Sequence, residues 1–415
     1  MNFKSFIFNF FKRKGIQVGI SSIVEKVGGF FLVMIATRLF SNSDFGLLTY
    51  ANTVLVFLIP FIGFGVHQGL LRYGALQKSQ LNKKKLFRFT LTKGCMYSVI
   101  LIFFIAVLAP VMTTNLKGAT IYLYILSFQF ISLFLFEIIR IYARLLNLNK
   151  LFAQITNIKT FCLVIVALLL SLSFGSIGYA LALSVVPFLI SLYYLKKLKL
   201  IGFSRKFKFE GSFKSFFLFG LYTSFGGVLS QLLYAVDILL LGNIIKNEAG
   251  IALYKVSTVL PFSLLILPII FIKTDFVTIT NKSKTDKRFL ENYYLNYLKL
   301  FSFVSMAILL FFFLFSDNLI QIFGESYEDS ALMLVFSIGV VGAILLRIPL
   351  GNILSAIGLA KINAINSFII LVLNISFSYI FIVNFGTIGA ALVTTSLMWL
   401  SGFLSLFFFL RFIKK

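Results

Sequence analysis

The stretch that decides the fold is residues 15–50, GIQVGISSIVEKVGGFFLVMIATRLFSNSDFGLLTY. It is long and apolar enough to cross a bilayer, because a hydrocarbon core of about 30 Å needs about 20 helical residues. It also contains Glu25, Lys26 and Arg38, and a charge inside the membrane is costly unless it faces a partner or a water-filled cavity. The stretch therefore predicts a membrane helix that carries functional groups.

The composition extends this interpretation to the whole chain. Of 415 residues, 60% are hydrophobic and only 12% are charged, which is typical of integral membrane proteins. The predicted fold is an all-α integral membrane protein with about 12 transmembrane helices in two six-helix bundles. The apolar runs are residues 16–40, 45–66, 91–113, 119–141, 155–174, 176–195, 216–243, 250–272, 293–315, 329–350, 363–383 and 388–410.

The net charge of +25 lies mainly in the loops between apolar runs, without a basic helix face that would indicate nucleic-acid binding. With the N-terminus inside, the inner segments contain 33 of the 38 lysines and arginines. Positively charged loops stay in the cytoplasm. The distribution predicts a multi-pass membrane protein with both termini cytoplasmic.

The residues that commonly bind metals are scarce. Cys95 and Cys162 both lie in apolar runs and are interpreted as small packing residues, and the single histidine, His67, as a loop residue. The sequence also lacks a phosphate loop and an Asp-x-Asp motif on a cytoplasmic loop. We therefore predict no metal site, no cofactor, no catalytic residues and no enzymatic activity.

Two short patterns indicate an internal duplication. Asp44 and Tyr50 match Glu248 and Tyr254 at an offset of 204 residues, and the segment 174–180 matches 385–391 at an offset of 211. Each repeat has an even number of spans, so the copies share one orientation, as in carriers whose site lies between repeats near mid-membrane.

The duplication defines the predicted domains. These are an N-terminal six-helix bundle, residues 1–195, a basic cytoplasmic linker, residues 196–214, and a C-terminal six-helix bundle, residues 215–415. All six prolines lie in or beside spans, which predicts bent and partly broken helices. The kinks predicted in the spans that contain Pro60 and Pro261 are either moving gates or static kinks.

The duplication also suggests a central cavity. Glu25 and Lys26 point about 100° apart on a helix, so they do not pair with each other. The 204-residue offset places Lys26 on Ser230, which shares a polar stripe with Tyr234 and Asp237. We predict that Lys26, Ser230, Tyr234 and Asp237 face a common cavity.

Further charges contribute to the predicted cavity. Arg140 and Arg347 lie close enough to cytoplasmic ends to snorkel to water instead, and Glu137 with Arg140 forms an i, i+3 pair that would be mutually neutralised. A modestly cationic cavity suits a diphosphate. The predicted substrate-binding residues are Lys26, Arg38, Arg140, Lys255, Arg347, Ser230 and Tyr234, and Glu25 and Asp237 are candidates for H⁺ or Na⁺ coupling.

An ordered set of short motifs runs over nearly the whole chain. Its residues are Arg38-Leu39-Phe40, Asp44-Phe45-Gly46, Tyr50, Gly63-Phe64-Gly65, Arg72-Tyr73, Asp237, Gly250, Tyr254, Ile322-Phe323-Gly324, Tyr327, Ala356, Gly358, Asn374 and Gly386-Thr387-Ile388-Gly389-Ala390-Ala391. This set resembles the O-antigen or repeat-unit flippases of the multidrug, oligosaccharidyl-lipid and polysaccharide exporter superfamily. The resemblance implies twelve helices in a MATE-like arrangement around a cationic cavity, in the bacterial inner (cytoplasmic) membrane. It also implies a substrate, a polyprenyl-diphosphate-linked oligosaccharide, which moves between leaflets among membrane lipids, and contacts with polysaccharide assembly proteins.

Two alternatives stay open. A drug or organic-cation antiporter of the same superfamily would be expected to have an acidic cavity instead. A glycan polymerase or glycosyltransferase would be expected to have a larger outer segment than residues 316–330, the longest one predicted.

Overall fold

The computed structural model describes residues 16–146, 148–202, 213–272, 279, 287–325, 327, 330–357 and 359–414, with side chains except at 16–20, 22, 225–234, 287 and 360. Within these residues every regular element is a helix. The helices are α1 (Ile16–Leu39), α2 (Asn42–Leu58), α3 (Val66–Leu76), α4 (Gln80–Met112), α5 (Ala119–Ser127), α6 (Gln129–Leu145), α7 (Asn149–Lys197), α8 (Phe213–Ile244), α9 (Glu248–Ser263), α10 (Lys287–Gln321), α11 (Ala331–Gly342), a π-helical turn (Ala343–Arg347), α12 (Ile348–Ala356) and α13 (Ala360–Lys414).

The described helices confirm the all-α membrane fold. Within the described residues, eight helical stretches, some of which join two or three of these helices, are long and apolar enough to cross a bilayer. Most of the predicted linker, at residues 203–212, and the N-terminal residues 1–15 lie outside the described residues. The eight are Asn42–Leu76, Gln80–Met112, Ala119–Leu145, Asn149–Lys197, Glu248–Ile272, Arg288–Gln321, Ala331–Ala356 and Lys361–Lys414.

The two longest helices, α7 and α13, are each interrupted by one glycine. Gly175 has φ 59° and ψ −143°, and Gly386 has φ 62° and ψ −140°, a conformation that is strained for residues with a side chain. Three residues later, a second glycine in each helix lies against the carbonyl of Leu170 or Phe381, respectively. Two breaks of the same geometry, 211 residues apart, support the predicted duplication.

Prolines mark further breaks, as predicted. After α2, the short segment Ile59–Gly65 starts with Pro60 near its first turn and contains left-handed residues, including Phe64 at φ 48°. A turn at 264–265 likewise follows Pro261 and the end of α9. The chain therefore has broken spans at both predicted places, and their role as gates stays a prediction.

The π-helical turn shows how the fold tolerates a proline inside a span. Pro349 has no N–H, and the shift in hydrogen bonding within the turn leaves the carbonyls of Ile344 and Leu345 without their α-helical donors. The hydroxyl of Tyr297 donates to Ile344 at 2.7 Å, and that of Tyr294 donates to Leu345 at 3.2 Å. Both tyrosines are buried, so α10 satisfies the backbone that Pro349 disrupts.

The chain forms two compact units, Ile20–Ala235 and one that includes Val236–Lys415. The boundary between them lies within α8, and the predicted domain limits stay a prediction. In the first unit, His67 is in α3 rather than in a loop, so that prediction was wrong. Its ring is 6% exposed, and its Nδ1 donates to the carbonyl of Ile62 at 3.1 Å, across the break.

Candidate functional site

One face of α1 packs against α7 in the first unit. Ser21 is buried, and Gly28 lies against the side chain of Thr160. Glu25 lies between these two residues on the same face. This face of α1 is therefore a packing face, and it points the Glu25 carboxylate toward α7.

Glu25 pairs with a lysine that the sequence did not single out. Lys159 Nζ lies 3.1 Å from Glu25 Oε1, and its side chain is 14% exposed. The predicted span began at residue 155, which placed Lys159 one turn from the cytoplasmic end. Because α7 begins at Asn149, Lys159 instead lies about 15 Å along the helix, at 1.5 Å per residue.

A second ion pair lies on α6, as predicted. Arg140 Nη1 donates to Glu137 Oε1 at 2.8 Å. The Arg140 guanidinium also interacts electrostatically with Glu25, and Arg144 follows one turn later. We call Lys159, Arg140, Arg144, Glu25 and Glu137 the cation cluster.

Two phenylalanine rings support the cations. The Phe152 ring centroid lies 4.6 Å from Arg140 Cζ and 4.4 Å from Arg144 Cζ. The Phe136 centroid lies 5.4 Å from Arg140 Cζ and 5.4 Å from Lys159 Nζ. Cation–π contacts of this kind hold cationic groups in an apolar setting without neutralising them.

The cation cluster has one excess positive charge, because three cations face two carboxylates. It also has unused hydrogen-bonding capacity. Arg140 Nε is buried and has no hydrogen-bond acceptor. Asn157 Oδ1, two residues before Lys159 on α7, is also buried and has no hydrogen-bond donor. Arg144 has an exposed side chain and forms no ion pair with a described carboxylate. Such a cluster can bind an anion with charge-assisted hydrogen bonds.

The two other predicted cations of α1 lie elsewhere on the helix. Lys26 is exposed and takes part in neither of the ion pairs found among the described residues. Arg38 is exposed in the last turn. Both Arg140 and Lys26 interact electrostatically with Glu25, but only Lys159 forms an ion pair with it, and Lys26 is exposed.

Asp237 is the centre of a second polar cluster, in the other unit. Its carboxylate accepts hydrogen bonds from Tyr254 Oη at 2.7 Å, from Ser378 Oγ at 3.0 Å and from Thr394 Oγ1. Ser378 also donates to Asn374 Oδ1 at 3.4 Å. Helices α8, α9 and α13 therefore converge on one carboxylate, and we call these five residues the Asp237 cluster.

Asp237 is deeply buried, with 1% of the residue exposed. Its place in a shared cavity stays a prediction. Within the described residues no lysine or arginine forms an ion pair with it. The side chains of Ser230 and Tyr234, its predicted partners, lie outside the described residues. Burying a carboxylate without a cation is costly, and a cluster built from oxygen atoms suits a proton or a hard cation such as Na⁺.

The last two predicted cations belong to the same unit as Asp237. Lys255 is half-buried next to Tyr254 on α9, and Arg347 is half-buried at the end of the π-helical turn.

Among the described residues, no group of three or more histidine, cysteine, aspartate or glutamate side chains could hold a metal ion. Cys95 and Cys162 are unpaired and half-buried.

The family can now be identified. The model of a family described as "Polysaccharide biosynthesis protein" matches residues 35–332, which is more than half of the chain. The chain belongs to this family. Among curated proteins, none matches the sequence significantly.

Several solved structures have a fold similar to that of this chain. An inward-facing multidrug-resistance MATE transporter of the MOP superfamily has a TM-score of 0.70 at 15% identity, covering 97% of this chain and 98% of its own. A MOP superfamily transporter from Pyrococcus furiosus has a TM-score of 0.66 at 15% sequence identity, and the match covers 96% of this chain and 95% of that one. The lipid II flippase MurJ has a TM-score of 0.65 at 18% identity, and the match covers 95% of this chain and 88% of that one.

These matches confirm the family resemblance and the MATE-like fold. This polysaccharide biosynthesis protein is therefore a multi-pass membrane protein with the fold of MOP superfamily transporters. The similar structures are themselves a MATE transporter, a MOP superfamily transporter and a lipid II flippase.

Proposed function

We propose that this protein moves a polyprenyl-diphosphate-linked oligosaccharide, a polysaccharide repeat unit, from the inner to the outer leaflet of the bacterial cytoplasmic membrane. The observation that carries the proposal is the cation cluster, a net-positive, partly buried site in a member of a polysaccharide biosynthesis family. Movement by alternating access and cytoplasmic termini are parts of the same proposal.

The cation cluster provides the binding chemistry for the diphosphate. Lys159, Arg140 and Arg144 offer N–H donors beyond those used by the two carboxylates. A guanidinium matches the geometry of phosphate oxygens, while the lysine ammonium acts as a point charge. The two phenylalanine rings hold these cations in place. Arg140 precedes the end of α6 by about 7.5 Å, at 1.5 Å per residue, which suits a headgroup that enters from the cytoplasmic side.

The remaining predicted residues are proposed to contact the substrate at other points along its path. Lys26, Arg38, Lys255 and Arg347 would meet the diphosphate at other stages, and Ser230 and Tyr234 would contact the sugars. Lys26→Ala is expected to abolish transfer without lowering the amount of protein in the membrane. Normal surface polysaccharide in that variant would remove Lys26 from the site.

We place the coupling ion at the Asp237 cluster. The support is chemical, since a buried carboxylate with hydroxyl and amide oxygens around it gains stability when it takes up H⁺ or Na⁺. Glu25, the other predicted coupling residue, forms an ion pair with Lys159. Transport that is unchanged after both gradients are collapsed would contradict coupling.

A deletion strain tests the proposed substrate. Lipid-linked oligosaccharide should accumulate in the inner leaflet of that strain, and wild-type protein should clear it, whereas Lys159→Gln should not. Accumulation of no lipid-linked sugar would contradict the proposal. Export of a cationic drug instead would favour the antiporter alternative, for which a net-positive cluster is poorly suited.

A further inference from the structure

The carboxylates of the cation cluster are more exposed than the cations they contact. The side chains of Lys159 and Arg140 are 14% and 16% exposed, whereas those of Glu25 and Glu137 are 40% and 38% exposed. In both ion pairs the carboxylate is therefore more accessible to an approaching ligand than the cation that it contacts.

Each carboxylate also uses a donor that an anionic ligand needs. Glu25 accepts a hydrogen bond from Lys159, and Glu137 accepts one from Arg140. A phosphate group that binds these cations must share or replace the carboxylates. Like charges a few ångströms apart repel each other, and this repulsion is stronger in a protein than in bulk water. The bound state is therefore weakened by the same groups that neutralise the empty site.

We propose that Glu25 and Glu137 are release groups that hold the cations while the site is empty and compete with the substrate diphosphate once it is bound. This inference rests on the proposed function. Transport needs a site that binds strongly enough to load and weakly enough to unload. The two carboxylates supply this balance, because they return to Lys159 and Arg140 as the diphosphate leaves.

The inference predicts an effect opposite to that of an ordinary binding residue. In Glu25→Gln and Glu137→Gln the repulsion is removed while the side-chain shape is kept. Solvent screening limits the gain, since both carboxylates are partly exposed. We expect each variant to bind undecaprenyl diphosphate about tenfold more tightly, which corresponds to about 1.4 kcal/mol. Because affinity changes at one site are mostly changes in dissociation rate, flipping at saturating substrate should become slower.

The test measures binding and flipping with the same purified, full-length protein. Binding of undecaprenyl diphosphate is measured in nanodiscs for wild type, both glutamine variants, Lys159→Gln, and Glu291→Gln as a matched control. Glu291 is an exposed glutamate near the start of α10, outside the cation cluster, and its variant should match the wild type. Thermal unfolding of each variant shows whether it is folded.

The outcomes separate the inference from the proposed function. Tighter binding with slower flipping in both glutamine variants supports the inference. Unchanged or weaker binding in these variants, with wild-type binding that is lost in Lys159→Gln, overturns the inference and leaves the proposed site intact. Wild-type binding that is absent, or that is equal in Lys159→Gln, overturns the site and the inference together.

A competition measurement identifies which part of the ligand the site recognises. Inorganic pyrophosphate is added at the same concentration as the lipid. Competition supports recognition of the diphosphate itself, whereas equal competition by inorganic sulfate would contradict a site selective for phosphate.

Discussion

The substitution Tyr297→Phe tests how the π-helical turn is stabilised. It removes the hydroxyl that donates to the carbonyl of Ile344 at 2.7 Å and changes little else, because the ring remains stacked on Phe301 with centroids 4.3 Å apart. The carbonyl then has no donor in a buried site. Leaving a buried acceptor unsatisfied costs about 1–3 kcal/mol.

The reason for this cost can be tested with a second substitution. Pro349→Ala restores a backbone N–H that can serve the freed carbonyls. Tyr297→Phe should therefore cost less than about 1 kcal/mol in the Pro349→Ala background, which gives a coupling energy of about 1 kcal/mol or more. The free energy of unfolding is measured by titrating the four proteins with SDS in mixed micelles. Equal effects of Tyr297→Phe in both backgrounds would refute the explanation.

The same pair of variants bears on function, because Arg347 ends the π-helical turn. A return to α-helical hydrogen bonding in Pro349→Ala would rotate the following helix by about 100°, the angle per residue at 3.6 residues per turn. If Arg347 contacts substrate, Pro349→Ala should lower transport more than Tyr297→Phe does. Equal transport in the two variants at matched protein levels would argue against a substrate contact that depends on this turn.

Three further predictions follow from the structure. Asp237→Asn should make transport insensitive to collapse of the H⁺ and Na⁺ gradients, and retained sensitivity would exclude Asp237 as the coupling residue. Thr394→Val should lower the free energy of unfolding by about 1.5–3 kcal/mol if the carboxylate it contacts is charged, and SDS titration measures this; a loss below about 0.5 kcal/mol would contradict a charged acceptor. Gly175→Ala and Gly386→Ala should each cost about 1–3 kcal/mol through backbone strain, by similar amounts because the two breaks have the same geometry; a clear difference between them would contradict this explanation.

The sequence predicted the features that depend on local pattern. Apolar runs predicted the membrane fold, and prolines predicted the broken spans. The repeated Phe-Gly pattern pointed to the matching segments that contain Gly175 and Gly386. The spacing of Glu137 and Arg140 gave their ion pair directly, since residues i and i+3 are neighbours on a helix.

The long-range contacts of the candidate sites could not be predicted in the same way. Glu25 and Lys159 are separated by 134 residues, and only the packing of α1 on α7 brings them together. Lys159 lies one turn into the predicted span that begins at residue 155, so it looked like a group at the membrane surface. Asp237 was singled out correctly as an unusual charge, but its three hydroxyl donors come from α9 and α13, which no sequence period connects to α8.

The central claim is that Lys159 and its neighbours carry a lipid-linked diphosphate across the membrane. It is tested most directly by flipping in proteoliposomes that contain polyprenyl-diphosphate-linked oligosaccharide, with a membrane-impermeant reagent reporting the sugars that reach the far leaflet. We predict rapid transfer by the wild type, and transfer at the rate of empty liposomes for Lys159→Gln. Equal transfer by the two proteins, or no transfer by the wild type above empty liposomes, would contradict the claim.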